Sequence, residues 1–428
     1  MFKVLVIAYN FPPMGLSGVQ RTLKFVKYMK QFGWDPTVIT SDEDKYFAFD
    51  ESLISEVEKQ NINVIRVGVK GKTKSVKEHV DRKLPGEIYR KIKSRIGQSI
   101  FLPDTKRIWT KKALKVAEKL VTQDTFHVLF VTGPPFSIFN SFRKIKCPYR
   151  IPLVVDYREN WYDGYFSFYP TPIHRILQKK MEYKTLKSAE GIIVSNRKIK
   201  ESLIKNFKFL TFNDIRILTN GFDPEDFEDL TVVPKNNNRM RIFYSGIFSV
   251  YNTPKYFLNA FKLLTIEQPD IAKNIELHFA GFLRKENQKL INKLNLQEFV
   301  YDHGFVSHKE ALNKMVSSDI VWLTISDKMK NESVLPGKIY EYFAAKKPIL
   351  ACVPEGAAKI VAQEYPNSFI CSSNNINEIK EMLIKIYKIY SEGNFPQIDD
   401  NFLTNYRRDF LTEQLTKLFN QLLKVQEI

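Results

Sequence analysis

Short apolar runs alternate with amphipathic helical stretches along nearly the whole chain. The first run, FKVLVIA at 2–8, is apolar almost without interruption, the pattern of a parallel strand buried on both faces. A loop with Pro12, Pro13, Gly15 and Gly18 follows, then the amphipathic stretch VQRTLKFVKYMKQFG, closed by Gly33, then the strand-like PTVITS. These segments predict a strand–helix–strand unit with a glycine loop at the carboxyl end of its first strand, where open α/β sheets bind ligands. The loop lacks the GxGxxG spacing of dinucleotide-binding folds, which disfavours nicotinamide or flavin.

The alternation continues through an acidic helix beyond residue 41, the strand NVIRVGV and a basic, mostly helical region. HVLFVTG (127–133) leads into Pro134-Pro135. LVVDYRENW (153–161) precedes a long helix near 173–189, and GIIVSN (191–196) precedes another. RILTNGFD (216–223) closes a first domain, 1–223; residues 224–240, polar with two prolines, read as a linker. The same grammar then restarts. RIFYSGIF (241–248) is a strand entering a turn at Gly246, and IELHFAGF, VYDHGFVS, DIVWLTI and ILACV alternate with helices through a second domain, 241–395. In 396–428, Phe410, Leu411, Leu415, Leu418, Phe419 and Leu422 share one side of a helix. Two such halves predict two doubly wound α/β domains with a cleft between them.

A chain of 428 residues exceeds what one core serves, and 44% hydrophobic content with 13% aromatic excludes a disordered protein. No apolar run approaches the ~20 residues of a membrane-crossing helix, and the start lacks the cleavage site of a signal peptide. Cys147, Cys352 and Cys371 are too few and too scattered for a disulfide framework or zinc site, so a reduced, cytoplasmic setting is expected. The net charge of +18 is uneven: residues 70–119 hold sixteen Lys and Arg against five Asp and Glu. No nucleic-acid motif accompanies the surplus, which favours an anionic membrane surface over nucleic acid as its partner.

The stretch Ser333–Leu350, SVLPGKIYEYFAAKKPIL, carries the chemistry. Pro336 suits a helix start, whose first amides lack intrahelical partners and favour an anion. Gly337 permits close approach to the backbone, Lys338 adds a positive charge, and Glu341 projects from the same helix face three residues on. A cation for a diphosphate and a carboxylate for sugar hydroxyls, about 5 Å apart along the helix, suit one end of a nucleotide sugar. A surface Glu and a Pro-Gly turn with no further role fit this stretch alone equally well.

FPPMGLSGVQR, LPDTKRIW, VTGPPFS, LVVDYRENW, TNGFD, FYSGIF, FAGF, HGFVS and PGKIYEYFAAKKPIL occur in an order that resembles glycosyltransferase family 4. The likeness is to the bacterial branch that builds capsule, exopolysaccharide and lipopolysaccharide, and it runs nearly end to end. It implies a GT-B fold, two Rossmann-like domains facing across a cleft, with the last helix packed back on the first domain. It also implies a retaining, metal-independent transfer of a hexose-type sugar from a UDP- or GDP-sugar to a saccharide or lipid-linked saccharide. The charge of segment 70–119 in turn places that segment at the inner face of the cell membrane, where a lipid-linked acceptor would sit. No cofactor is expected. By the same resemblance Gly337 and Lys338 meet the diphosphate and Glu341 the ribose, with Gly246 at the donor site and Gly18 and Arg21 approaching from the other domain. Asp156, Arg158 and Glu159 line the acceptor side, Asp156 either orienting the acceptor hydroxyl or accepting its proton, or else pairing with Arg158 only to brace a strand end.

Two departures stand out. The family pattern has a second Glu eight positions before Glu341, where this chain has Ser333, with Glu332 out by one. The Arg expected after the first strand of the second domain is Ile247, and the following Lys comes late, at Lys255. A GT-B sugar-nucleotide 2-epimerase and a non-catalytic nucleotide-sugar-binding subunit are the alternative functions.

Overall fold

A computed structural model describes residues 1–15, 17–42, 49–68, 95–97, 99–164, 167–248, 252–327 and 332–426. Much of the basic segment, 69–94, therefore lies outside the described residues. The chain divides into two compact units, Met1–Asn220 with Arg408–Ile428, and Gly221–Arg407.

The first unit is built on seven parallel strands: β1 (Phe2–Ala8), β2 (Trp34–Ser41), β3 (Asn63–Val67), β4 (Val128–Gly133), β5 (Leu153–Tyr157), β6 (Gly191–Val194) and β7 (Ile215–Ile217). Their order is β3-β2-β1-β4-β5-β6-β7. β1 is an interior strand, which is why it is apolar from Val4 to Ala8: Leu5 and Ile7 enter the core on one face of the sheet, Val4 and Val6 the core on the other. The C-terminal helix Arg408–Gln426 closes that second face, burying Leu411, Leu415, Leu418 and Phe419. Trp34 Nε1 donates to Asn420 at 3.1 Å, tying the helix to β2. A Cβ on Gly191 would stand 3.3 Å from Leu418, so the glycine leaves room for the helix.

The second unit repeats the plan with six parallel strands: β8 (Met240–Ser245), β9 (Ile275–Ala280), β10 (Val300–Asp302), β11 (Ile320–Thr324), β12 (Ile349–Cys352) and β13 (Ser368–Cys371). Their order is β10-β9-β8-β11-β12-β13. In both sheets the order reverses beside the first strand, between β1 and β4 and between β8 and β11, and ligands bind at the carboxyl ends of strands flanking such a reversal.

Residues 224–240 differ from a free linker. They open on a 3-10 turn, Pro224–Phe227, and are held to the second unit. Thr231 N donates to Asn313 Oδ1 at 3.0 Å, Val233 N to Ser317 Oγ at 2.8 Å, and the Lys235 ammonium pairs with Asp319 at 2.8 Å. Hydrogen bonds, not composition, decide where this segment belongs. The cysteines are less scattered than their spacing suggests. Cys352 and Cys371 are register partners on β12 and β13, free and buried with sulfurs 3.6 Å apart.

Candidate functional site

At the strand ends of the first unit, arginines are tied to fixed partners. Asp156, on β5, is fully buried. Its oxygens accept from Arg21 Nη2 at 2.8 Å, Arg21 Nε at 3.0 Å and Thr132 Oγ1, one strand over on β4, at 2.7 Å. Arg21 comes from the helix Ser17–Met29 and is 2% exposed. It also donates to the carbonyls of Thr219 at 2.7 Å and Leu218 at 2.9 Å. Both Asp156 oxygens are thus engaged inside the unit, and the arginine that pairs with Asp156 is Arg21 rather than the expected Arg158. Arg21 likewise presents no free donor to a phosphate.

Arg158, just past β5, donates to three backbone carbonyls: Gly133 at 3.2 Å, Pro134 at 2.7 Å and Gly18. It thus joins the end of β4 to the glycine loop. Gly18 lies in the first turn of its helix, and a Cβ there would sit 3.5 Å from Arg158 Nη1, an ordinary contact. The expected need for glycine is not steric within the unit.

Glu159 differs from its neighbours. It is exposed at the wall of a cavity of about 470 Å³ at the carboxyl ends of β1, β4 and β5. Desolvation in this concave surface raises its pKa, against the opposing charge of Arg158. Phe136 and Trp161, stacked with centroids 5.4 Å apart, and Tyr9 form apolar walls, while Lys106 adds an ammonium over the Tyr9 ring at 4.7 Å. Asp104 also lines the cavity, but its carboxylate accepts from Ser137 N at 2.7 Å and Ser137 Oγ at 2.9 Å, capping the helix Ser137–Tyr149. Aromatic faces with a few polar groups suit one face of a sugar ring.

In the second unit the expected donor residues converge at the end of β8. Lys338 donates its ammonium to Ser245 O at 2.6 Å and places it 3.9 Å from the centre of the Tyr244 ring. Gly246, with φ +136°, lies directly beneath: a Cβ there would meet Lys338 Nζ at 2.9 Å. Gly281, after β9, has φ +132° and packs against the Gly246 backbone, its N–H donating to Gly304 O at 2.6 Å. The glycines of FYSGIF, FAGF and HGF therefore form one layer along three strand ends.

Desolvation pulls the Lys338 pKa from 10.5 down to about 7, with Glu341 opposing the shift. An ammonium short of compensating negative charge gains most from an incoming anion. The helix itself runs Lys338–Ala344, shorter than expected. Its first amides are not all free: Ile339 N donates to Pro336 O at 3.3 Å and Tyr340 N to Gly337 O at 3.2 Å. Gly337 has helical φ of −60°, so the turn does not require glycine. Charge recognition here rests on Lys338 more than on helix amides.

Two residues escaped the sequence reading. His308 Nε2 lies 3.0 Å from Glu341 Oε1, brought there by the start of the helix His308–Val316. The buried Tyr244 hydroxyl, without a hydrogen-bond partner among the described residues, would lie 3.6 Å from a Cβ on Gly246. Strand alternation through FYSGIF could have indicated Tyr244, but nothing local pairs His308 with Glu341. Glu332, near the position of the missing second Glu, is held by its main chain: its carbonyl accepts from Ala357 N at 2.7 Å while its side chain is exposed.

Residues 226–394 match the family described as glycosyl transferases group 1. This stretch contains Gly246, Gly337, Lys338 and Glu341. Among curated proteins none matches the chain. Solved structures share its fold over nearly all its length. Anabaena HepE in complex with UDP and glucose aligns with TM-score 0.63 and 13% identity, covering 98% of this chain and 100% of that one. Sucrose-phosphate synthase from Thermosynechococcus elongatus aligns with TM-score 0.67 and 10% identity, covering 99% and 100%. A UDP-GlcNAc 2-epimerase from Neisseria meningitidis bound to UDP-GlcNAc aligns with TM-score 0.55 and 12% identity, covering 98% and 100%. The fold is GT-B, two Rossmann-like α/β domains. Because this fold spans synthases and epimerases, the matched segment, rather than the fold, supports glycosyl transfer.

Proposed function

We propose that this protein is a retaining glycosyltransferase of family 4 that moves a hexose-type sugar from a UDP- or GDP-sugar to an acceptor hydroxyl. The acceptor is a saccharide or lipid-linked saccharide of bacterial surface polysaccharide, met at the inner face of the cell membrane. One observation carries the reading: the desolvated Lys338 ammonium, held over the Gly246 turn within the matched segment, with Glu341 a helical turn away. The complex of HepE with UDP and glucose, on the same fold, favours UDP as the nucleotide.

In this scheme the acceptor oxygen bonds to the anomeric carbon as the bond to the diphosphate breaks, and the acceptor hydroxyl passes its proton to the departing diphosphate oxygen. Charge builds on the diphosphate oxygens, and a fixed cation stabilises it more than it stabilises the intact donor. Lys338 supplies that cation without a metal. Glu341 binds the ribose hydroxyls, which requires it to exchange its contact with His308. Glu159, rather than Asp156, is the carboxylate placed to hold an acceptor hydroxyl, beside the stacking faces of Phe136 and Tyr9.

Calorimetric titration with UDP- and GDP-sugars, followed by product analysis with an oligosaccharide or lipid-diphosphate acceptor in EDTA, tests the reading. The expected result is micromolar-range donor binding and acceptor-dependent turnover with the anomeric configuration kept. Turnover of donor with no acceptor would make the protein an epimerase. Donor binding with no turnover on any acceptor would make it a binding subunit.

A further inference from the structure

The helix Pro172–Ser188 is amphipathic in the wrong sense for a water-facing helix. Its inward side is largely polar, with Met181 and Leu186 the apolar contacts to the core: His174 Nε2 lies 3.1 Å from Ser99 O, Gln178 bonds Trp161 Nε1 at 2.6 Å and Pro103 O at 2.8 Å, and Glu182 accepts from Tyr162 N at 2.9 Å. Its outward side carries Ile173, 66% exposed, Ile176, 65% exposed, and Leu177. At 3.6 residues per turn these three share an arc of about 120° with Lys180, Tyr183, Lys184 and Lys187. The one acid of the helix, Glu182, is buried, so its exposed side is basic and apolar only. The patch does not stop at the helix. Through the His174–Ser99 contact it adjoins a segment where Ile96 and Ile100 are also exposed, and Lys187 lies over the Phe209 ring at 4.1 Å.

Isolated exposed aliphatics are ordinary, but a row of them on one convex helix face marks a docking surface. We infer that this face seats the protein on an anionic bilayer surface, the aliphatic side chains entering the interface and the lysines reaching lipid phosphates. Charge selects the occupant. Lysine stems cover apolar surface while their ammonium groups reach outward, which fits an interface apolar below and anionic above. A second copy of the chain, paired through the same face, would set lysine against lysine. No helix among the described residues is long and apolar enough to cross a membrane, so the contact is peripheral. Gln178, on the inner side of this helix, also lines the cavity of the first unit, which would bring a bilayer-held acceptor within a helix thickness of it. That last consequence rests on the function proposed above; the docking does not.

Co-sedimentation of the full chain tests it, with vesicles of equal parts phosphatidylcholine and phosphatidylglycerol against phosphatidylcholine alone. Wild type is expected to pellet with the anionic vesicles only, and less at high salt. The triple variant Ile173→Ser, Ile176→Ser, Leu177→Ser should lower the partition coefficient about one hundred-fold, with UDP-sugar affinity unchanged as a check that the fold and donor site survive. Lys180→Gln, Lys184→Gln, Lys187→Gln should lower it comparably at low salt. The inference falls if wild type ignores anionic vesicles, or if the serine variant binds as tightly as wild type, which would leave only diffuse attraction between a basic chain and anionic lipid. It falls equally if the serine variant abolishes a concentration-dependent dimer or capture by an acidic protein while vesicles are never bound.

Discussion

The two units share a strand order, yet their strand ends treat positive charge in opposite ways. In the first, Arg21 is neutralised by the buried Asp156 carboxylate, while Arg158, its pKa lowered by burial, is held on backbone carbonyls. In the second, Lys338 is fastened through Ser245 O and otherwise lies over an aromatic ring and a bare glycine, its pKa depressed to about 7. A satisfied guanidinium rigidifies; a desolvated ammonium waits for a counter-charge. Repetition of a fold therefore does not repeat its chemistry: Arg21 meets its counter-charge inside its own unit, whereas Lys338, among the described residues, is bonded to a carbonyl oxygen alone.

The contrast breaks most readily at Asp156. Asp156→Ala should destabilise the first unit by about 3–5 kcal/mol by leaving Arg21 buried without its partner, as read by chemical denaturation. An unchanged unfolding midpoint would mean the pair is not the brace described. Lys338→Ala should do the reverse, leaving stability nearly intact while weakening UDP-sugar binding by about 1.5–3 kcal/mol in calorimetry. Equal affinity in the variant would remove Lys338 from the donor site.

The Lys338 pKa gives the second contrast a sign in pH. Folded Lys338 titrates near 7 and an ordinary lysine near 10.5, so between these values the unfolded chain binds the extra proton. The destabilisation from charging Lys338 is complete below pH 7 and is relieved as pH rises toward 10.5. A bound diphosphate reverses the balance by favouring the ammonium. UDP-sugar binding above pH 7 should then take up a proton, and affinity should fall by up to about ten-fold per pH unit. Lys338→Arg, charged throughout, should flatten that dependence; an equally steep profile in the variant would assign it to another group.

Smaller effects separate the two glycines. Gly246→Ala, strained at φ +136° and pressed against Lys338 Nζ, should cost about 1–3 kcal/mol of stability and weaken donor binding with it. Gly18→Ala, with space for its Cβ and a helical position, should change stability by no more than about 0.5 kcal/mol. A larger loss of donor affinity in Gly18→Ala than in Gly246→Ala would invert the roles assigned to the two strand ends.

Much of this was open to inspection in the chain itself. Strands buried on both faces are nearly all apolar, so FKVLVIA, VLFVTG and IVWLT announced the cores of two parallel sheets, and glycines after FYS, FA and H marked the ends where a ligand can come close. The order of motifs carried the expectation of family and donor residues. What the chain could not reveal is which charges are already taken. Asp156 and Arg21 are 135 residues apart, and only folding brings them together in a buried pair; His308 and Glu341 meet across 33 residues in the same manner. The outward lysine and isoleucine face of Pro172–Ser188 was hidden as well, because its buried side mixes Gln178, Glu182 and Thr185 with Leu186, and the usual rule of apolar inside gives no clear orientation. Residue types and their local periodicity set secondary structure through backbone sterics and burial, whereas a side chain's free charge depends on partners that only the tertiary structure supplies.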